Sequence, residues 1–454
     1  MSASGTNSLF CNSLRNERGY AIYLTIVLLL LISILFNSIL LSYLNGRKAI
    51  SKRIKESQLQ YIERYAKQFL SVNLAKSLDG TLSADKTDLD EERWYSCGLS
   101  RKGCVLSARI SSGFRDVQQT KAFYLGQAPV MERAALVVFG NQSNLYLSGT
   151  ASIKGNVRLP SGTVSYIAQG NENKPASFFN GQVLQNTPFD ASIDMTFLVL
   201  EKKKGETLLD NLVDDKNTQN ITSLKNIFTD SGQVRCVSRS LFGQGNFDLN
   251  LHGGTLACIG KLSLEQQSTI QNGTLFVGTD ADIKEKAQLI NIILIAGRDF
   301  KTSSEAELKG QFLCGNRMEI GGNSICHYFT LLCASPFFSR PGMNTTTEPG
   351  LFLIDNTRLN GVALYSSPDN SDQPRLFVDN NTVVQGYLYC SGQTEFRGTL
   401  FGSLYTFGVL FRYGTTQHQS SIKDGRIDIT RLQDGFYIPL LFGKTKEILF
   451  HENK

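Results

Sequence analysis

Apolar residues are spaced in three different ways along this 454-residue chain, and each spacing predicts a different element. From Gly19 to Leu44 the run "GYAIYLTIVLLLLISILFNSILLSYL" carries no charged side chain. Coiled as a helix at about 1.5 Å per residue, it covers the roughly 30 Å of bilayer hydrocarbon. A cleaved secretory signal has a shorter apolar core and a small-residue cleavage site. This run instead ends in Ser42-Tyr43-Leu44-Asn45, so it reads as a retained transmembrane helix over 20–44. The next stretch has neither Pro nor interior Gly before Asp79-Gly80, a natural stop. Within it Ile50, Ile54, Tyr61, Tyr65, Phe69 and Val72 recur at steps of three, four and seven. That spacing predicts an amphipathic stalk helix over 45–78 with these residues on one apolar face.

The third spacing is a long period. Val237, Leu256, Leu275, Leu294, Leu313, Leu332 and Leu351 stand 19 residues apart. A second apolar column runs Ile270, Leu289, Leu308 and then slips to Ile325, and a glycine column runs Gly260, Gly278, Gly297, Gly315. One local form accompanies the columns: "TIQNGTL" from 269, "QLINIIL" from 288, "ELKGQFL" from 307, "RLNGVAL" from 358 and "VVQGYLY" from 383. Strands of three to five residues with Gly or Asn at the corners, where φ > 0 costs those residues little, suit stacked repeats. One repeat cannot bury its inner face alone, whereas stacking at about 4.8 Å lines the aliphatics into a ladder. Leu275, Val277, Ile283 and Leu289 would then point inward, and Asp280, Asp282, Lys284, Glu285 and Lys286 would form a solvated wall. The competing β-sandwich would show a hairpin turn every 8 to 12 residues.

The fold class expected is mainly β: a long N-terminal transmembrane and stalk α-helix, then a right-handed parallel β-helix with about 18–19 residues per rung. The layout is a polar leader (1–19), transmembrane helix (20–44), stalk (45–78), linker and small β region (79–138), β-helix (139–411) with an insertion at about 186–232, and a C-terminal cap (412–454).

Composition changes this picture little. Net charge is +6, but the basic residues are dispersed and interleave with no aromatic face, so no nucleic-acid partner is expected. Arg47, Lys48, Lys52, Arg53 and Lys55 follow the apolar run, while only Arg15, Glu17 and Arg18 precede it. Taken alone, that bias places the C-terminal side in the cytoplasm. Of nine cysteines, Cys97 and Cys104 flank "GLSRKG", a hairpin tip that a disulfide could close. Cys314 and Cys333, 19 apart, are expected to stack in one column. No C-x-x-C occurs and the four His lack zinc spacing, so no metal or cofactor is expected, and His327 reads as a core residue. Asp280 with Asp282, and Glu305 with Glu307, are the carboxylate pairs a polysaccharide-cleaving solenoid would need. Any solvated strand face carries such pairs, and no nucleophile elbow, phosphate loop or dinucleotide fingerprint is present. No catalytic residue is expected.

The leader ending "RNERG", followed by a long apolar and then amphipathic helix, resembles type IV pilin-like proteins. That resemblance implies peptidase cleavage between Gly19 and Tyr20, an anchor in the inner (cytoplasmic) membrane, an extracytoplasmic body and pilus-like or envelope protein partners. Leu24 stands at the fifth mature position, where most of that family carry Glu; the start is nearer the atypical minor pilins and the pilus-assembly X type. The repeats resemble adhesin-like solenoids or the bactofilin type. The leading expectation is a non-enzymatic, single-pass envelope scaffold or adhesin-like protein that contacts membrane lipid, with homo-oligomerisation open. The alternatives are a cytoplasmic-facing, self-polymerising β-helix and, third, a β-helix polysaccharide-degrading enzyme.

Overall fold

The computed structural model describes residues 7–74, 83–127, 134–168, 175, 177–185, 202–207, 209–210, 234–237, 240–243, 245–339, 347–367, 373–433, 436–437 and 448–452. Nearly all of the expected insertion at 186–232 lies outside them, and within it residues 202–207 and 209–210 are helical. The protein is mainly β, with one long N-terminal helix and a large, mostly parallel sheet. It divides into two compact units, Met1–Leu99 with Arg109–Ala122 and Ser100–Ala108 with Phe123–Lys454.

In the first unit one helix, α1 (Asn7–Leu74), runs unbroken through both Gly19 and the stalk. Its buried face is Leu59, Ile62, Ala66 and Leu70, at steps of three and four. The expected stripe lies elsewhere: Ile50, Ile54, Tyr61, Tyr65 and Val72 are all exposed. Both stripes have helical spacing, but a strand surface admits the closer approach that Ala66 and the compact aliphatics allow. The stretch expected as an acidic linker contains a strand, β1 (Ser83–Asp88), antiparallel to β2 (Arg93–Lys102) with Thr87 opposite Tyr95. Asp90 makes the turn: its Oδ1 accepts from the backbone N–H of Glu92 (3.0 Å) and Arg93 (2.8 Å), a local geometry that short acidic side chains favour.

In the second unit the strand Thr269–Val277 pairs in parallel with Gln288–Ala296, which pairs with Glu307–Cys314, then Ile325–Ala334, Arg358–Tyr365, Val383–Phe396 and Thr399–Tyr413. Interleaved with these are short strands: Lys261–Leu264 pairs with Ala281–Ile283, which pairs with Phe300–Thr302, then Arg317–Ile320 and Gly350–Leu353. The first set bends at Asn272-Gly273 and its equivalents, so each repeat supplies three strand segments. Leu256, Leu275 and Leu294 are register partners. The column then slips. A bulge at Ile290 to Ile292 pairs Leu294 with Phe312 and places Leu313 beside Ile295. Leu332 partners Phe312, and Leu351 belongs to a different strand set, opposite Met318. At the other end Arg235, not Val237, faces Leu256, and Val237 faces Cys258. The fixed 19-residue step therefore holds only where no bulge or excursion alters a repeat's length.

A single apolar cluster fills the inner side, including Leu275, Val277, Ile283, Leu289, Leu294, Phe312, Leu332 and Leu388. Two features of this core escaped the sequence reading. Ser268, Ala287, Ala306, Ser324, Thr357 and Thr382 form a column of fully buried small residues. Each carbonyl accepts from the next repeat, as in Gln288 N–H to Ser268 (2.8 Å) and Glu307 N–H to Ala287 (3.0 Å). Just before that column the corner uses left-handed residues: Glu285 and Lys286, Ser304 and Glu305, Asp355 and Asn356. Inter-repeat bonds such as Lys286 N–H to Ser304 O (2.8 Å) satisfy this backbone, which offsets a conformation that side chains other than Gly and Asn adopt at a cost.

The stacking order is not the chain order. After Thr399–Tyr413 the ladder continues into Ala134–Val138, with Leu404 opposite Leu136, then Asn156–Leu159 and Val183–Gln185. Arg426–Asp428 pairs with both Thr399–Tyr413 and Ser152–Lys154. The earliest repeats thus lie beyond the last ones, and part of the segment expected to cap the open end (412–454) sits inside the stack.

Candidate membrane anchor and outer wall

The anchor candidate is built from helix propensity and the lack of any competing polar group. Every residue from Ala21 to Leu44 is exposed in the first unit, Leu and Ile included, and none is charged. Thr25, one of its few polar residues, donates its Oγ1 to the Ala21 carbonyl at 2.8 Å. The segment therefore carries its own backbone and hydroxyl partners, as a bilayer requires. This helix is long and apolar enough to cross a membrane. Gly19 and Tyr20 lie inside α1, immediately before this exposed stretch.

Beyond it the helix turns polar and finds ionic partners. Lys55 Nζ donates to Asp116 at 2.7 Å. Glu63 accepts from Lys67 (2.7 Å) and Lys121 (3.0 Å). Burial raises the Glu63 pKa, but the two lysines outweigh it and hold the carboxyl below its ordinary value. Tyr65 and Phe69 pack their rings on Tyr95 at 5.9 and 6.0 Å.

In the second unit the outer wall is a lattice of ion pairs across neighbouring repeats. Asp280 accepts from Arg298 Nε at 2.7 Å, Asp282 pairs with Lys261 (2.5 Å), Glu305 with Lys286 (3.2 Å) and Glu307 with His327 (3.1 Å). The carboxylate pairs singled out for hydrolytic chemistry thus each face a base on an adjacent repeat. His327, expected in the core, is half exposed. Glu319 lies between Lys301 and Arg317, which outweigh its burial and lower its pKa. Arg317 also covers the Phe352 ring at 3.7 Å. Glu395 is fully buried, accepting from Arg397 Nε (3.0 Å) and Arg412 Nε (2.7 Å), so both oxygens are satisfied.

The longest ladder is apolar on its outer side as well. A second cluster joins Ala257, Phe276, Ile295, Leu313, Leu364 and Tyr389, and Leu209 and Phe436 pack on it. Gln311 clamps a hairpin tip there: its Oε1 accepts from Cys104 N–H (2.6 Å) and its Nε2 donates to the Lys102 carbonyl (2.9 Å). Cys97 and Cys104 are both buried and carry thiols, so the expected disulfide is not formed. The tip is closed by Arg101 Nε donating to the Gly103 carbonyl (2.9 Å). Cys314 and Cys333 do not share a column: Cys314 faces Ala334 and belongs to the inner cluster, whereas Cys333 faces Leu313 and belongs to the outer one. A register shift between Leu308 and Gln311, across which the offset to the next repeat grows from 18 residues (Leu308 to Cys326) to 20 (Gln311 to Leu331), separates them. Burial pushes the thiols up, Cys258 to about 11 and Cys326 to about 12.

Among the described residues no group of three or more His, Cys, Asp or Glu is placed to hold a metal ion. Two shallow hollows lie in the first unit, one of about 410 Å³ beside Trp94 and Arg109 and one of about 340 Å³ along α1.

No protein-family model matches the chain, and no curated protein does. Among solved structures, the crystal structure of the competence-associated pilin ComZ from Thermus thermophilus aligns with 88% of this chain and 98% of its own. Identity there is 10% and the TM-score 0.18, too low for the likeness to carry an argument.

Proposed function

We propose that this protein is a single-pass, non-enzymatic scaffold of the cell envelope, held by residues 20–44 in the cytoplasmic membrane with its body on the extracytoplasmic side. In this reading the parallel sheet closes as a β-helix, and the chain serves as a minor subunit of a pilus-like assembly. The observation that carries it is the continuity of α1: one helix joins a fully exposed, charge-free apolar segment to a stretch whose Leu59–Leu70 face is buried. A soluble fold that left so many Leu and Ile in water would lose roughly 1.5–3 kcal/mol for each. The ion-paired outer wall and the filled core suit a load-bearing rod.

Alkaline carbonate extraction of membranes tests the anchor. The full chain should stay in the pellet, and a Leu30→Lys, Ile34→Lys variant should be released, since each central cation costs about 2.5–3.5 kcal/mol on insertion scales. Release of the wild-type chain would sink the anchor. Sequencing the mature N-terminus tests the pilin-like part separately: Tyr20 supports it, and a retained Met1 or Ser2 removes it. A cytoplasmic-facing polymer is the second reading, favoured by the five cations that follow the apolar segment.

A further inference from the structure

Residues 47–55 hold five cations and no acid, and they begin three positions after the apolar segment ends at Leu44. On a helix rising about 1.5 Å per residue, Lys48 stands about 6 Å beyond that boundary, within a headgroup layer about 5–8 Å thick, and Lys52 stands about 12 Å beyond it, close enough for its long side chain to reach back to that layer. Lys48, Lys52 and Lys55 share one face, and together with Ser51, Leu59 and Val117 they line the hollow of about 340 Å³. Lys55 is engaged by Asp116. Lys52 meets Glu56, also on the rim, only at 3.9 Å, with both side chains more than half exposed. Lys48, Arg47 and Arg53 have no ion-pair partner among the described residues. The hollow therefore has a hydroxyl, an apolar floor and a net positive rim of three lysines against one carboxylate, Glu56.

We propose that this hollow binds the phosphate headgroup of an anionic phospholipid, with Lys48 and Lys52 as the cations that meet the phosphate and Ser51 Oγ as a neutral donor. The inference rests on the membrane-anchor reading. The lipid is the source favoured over free phosphate because the hollow sits at headgroup depth, where the acyl chains of the same molecule can lie along Leu41 and Leu44. A Lys or Arg near an anionic membrane surface strengthens association about fivefold. The attraction fades when salt shortens the screening length to about 3 Å at 1 M.

The test reconstitutes the full chain in phosphatidylcholine vesicles containing trace spin-labelled phosphatidylglycerol or phosphatidylcholine. The fraction of motionally restricted label is read by electron spin resonance. Phosphatidylglycerol should associate about fivefold more strongly than phosphatidylcholine. That preference should collapse towards unity in about 1 M NaCl and in the Lys48→Gln, Lys52→Gln variant. It should persist in a Lys286→Gln, Lys309→Gln control that removes two charges elsewhere. Equal restriction of both lipids overturns the headgroup site and leaves the anchor standing; no restricted lipid of either kind overturns the anchor itself. Replacing chloride by inorganic phosphate at constant ionic strength should leave the preference intact. Its loss there would assign the site to free phosphate instead.

Discussion

At the scale of single residues, backbone contact between repeats decides what each position tolerates. Gly361, Gly386 and Gly402 are register partners at the corner that Gly273 and Gly310 occupy in earlier repeats. Gly386 has φ +141°, and a Cβ there would collide with the Gly361 carbonyl oxygen. Gly386→Ala should therefore lower stability by about 2 kcal/mol or more, combining a strained φ with a steric clash; urea unfolding measures it. An equally plain change at exposed Lys309 should stay within about 0.5 kcal/mol. Carboxylates set the acid limit. Glu63, Glu319 and Asp428 all have pKa values held below the ordinary range: burial raises each, but basic partners, joined at Asp428 by Thr430, outweigh it. A depressed folded pKa contributes stability that is present above the unfolded value and lost as pH falls through the folded one. The melting temperature should therefore hold between about pH 6 and 8 and fall progressively below about pH 4.5. Glu63→Gln should flatten part of that fall.

At the scale of elements, the helix and the repeat were both legible, but the face of the first and the register of the second were not. The charge-free run and the lack of breakers after it predict one helix, and α1 is one helix. Two overlapping stripes share helical spacing there, and only packing decides between them. Leu59, Ile62, Ala66 and Leu70 are buried, while Tyr61 and Val72 face outward. Leu70→Ala should cost about 2–4 kcal/mol, whereas Ile54→Ala should cost less than about 0.5 kcal/mol; chemical denaturation of the two variants checks the assignment. In the repeats, Leu256, Leu275 and Leu294 are register partners, and the inward residues of the stretch around Leu275 are buried. Bulges ended the count, because a one-residue change in repeat length leaves the apolar pattern intact while shifting every later partner. The small-residue column from Ser268 to Thr382 was available in the sequence, four of its six members (Ser268, Ala287, Ala306 and Thr357) standing just before a polar–aliphatic pair. It was overlooked because small residues carry little hydropathy signal. The left-handed pairs at Glu285-Lys286 and Ser304-Glu305 carry no such signal, since their side chains are those of any solvated loop.

At the scale of the whole molecule, spacing alone cannot give stacking order. A period records how far apart neighbours are, not which end an early repeat joins. Leu136 and Ile153 lie against Leu404 and Ile427, far away in sequence. Pairing of this kind leaves the edge of the early strands uncovered until the late strands are made, so folding should be slow and late. It also covers an edge that would otherwise template aggregation. The central claim concerns where this body resides. The most direct measurement is protease digestion of spheroplasts with an intact cytoplasmic membrane, followed by immunodetection of the 234–433 region. The account predicts that this region is degraded, or trimmed to resistant fragments, without permeabilising that membrane. Full protection until detergent is added would contradict it and place the repeats in the cytoplasm.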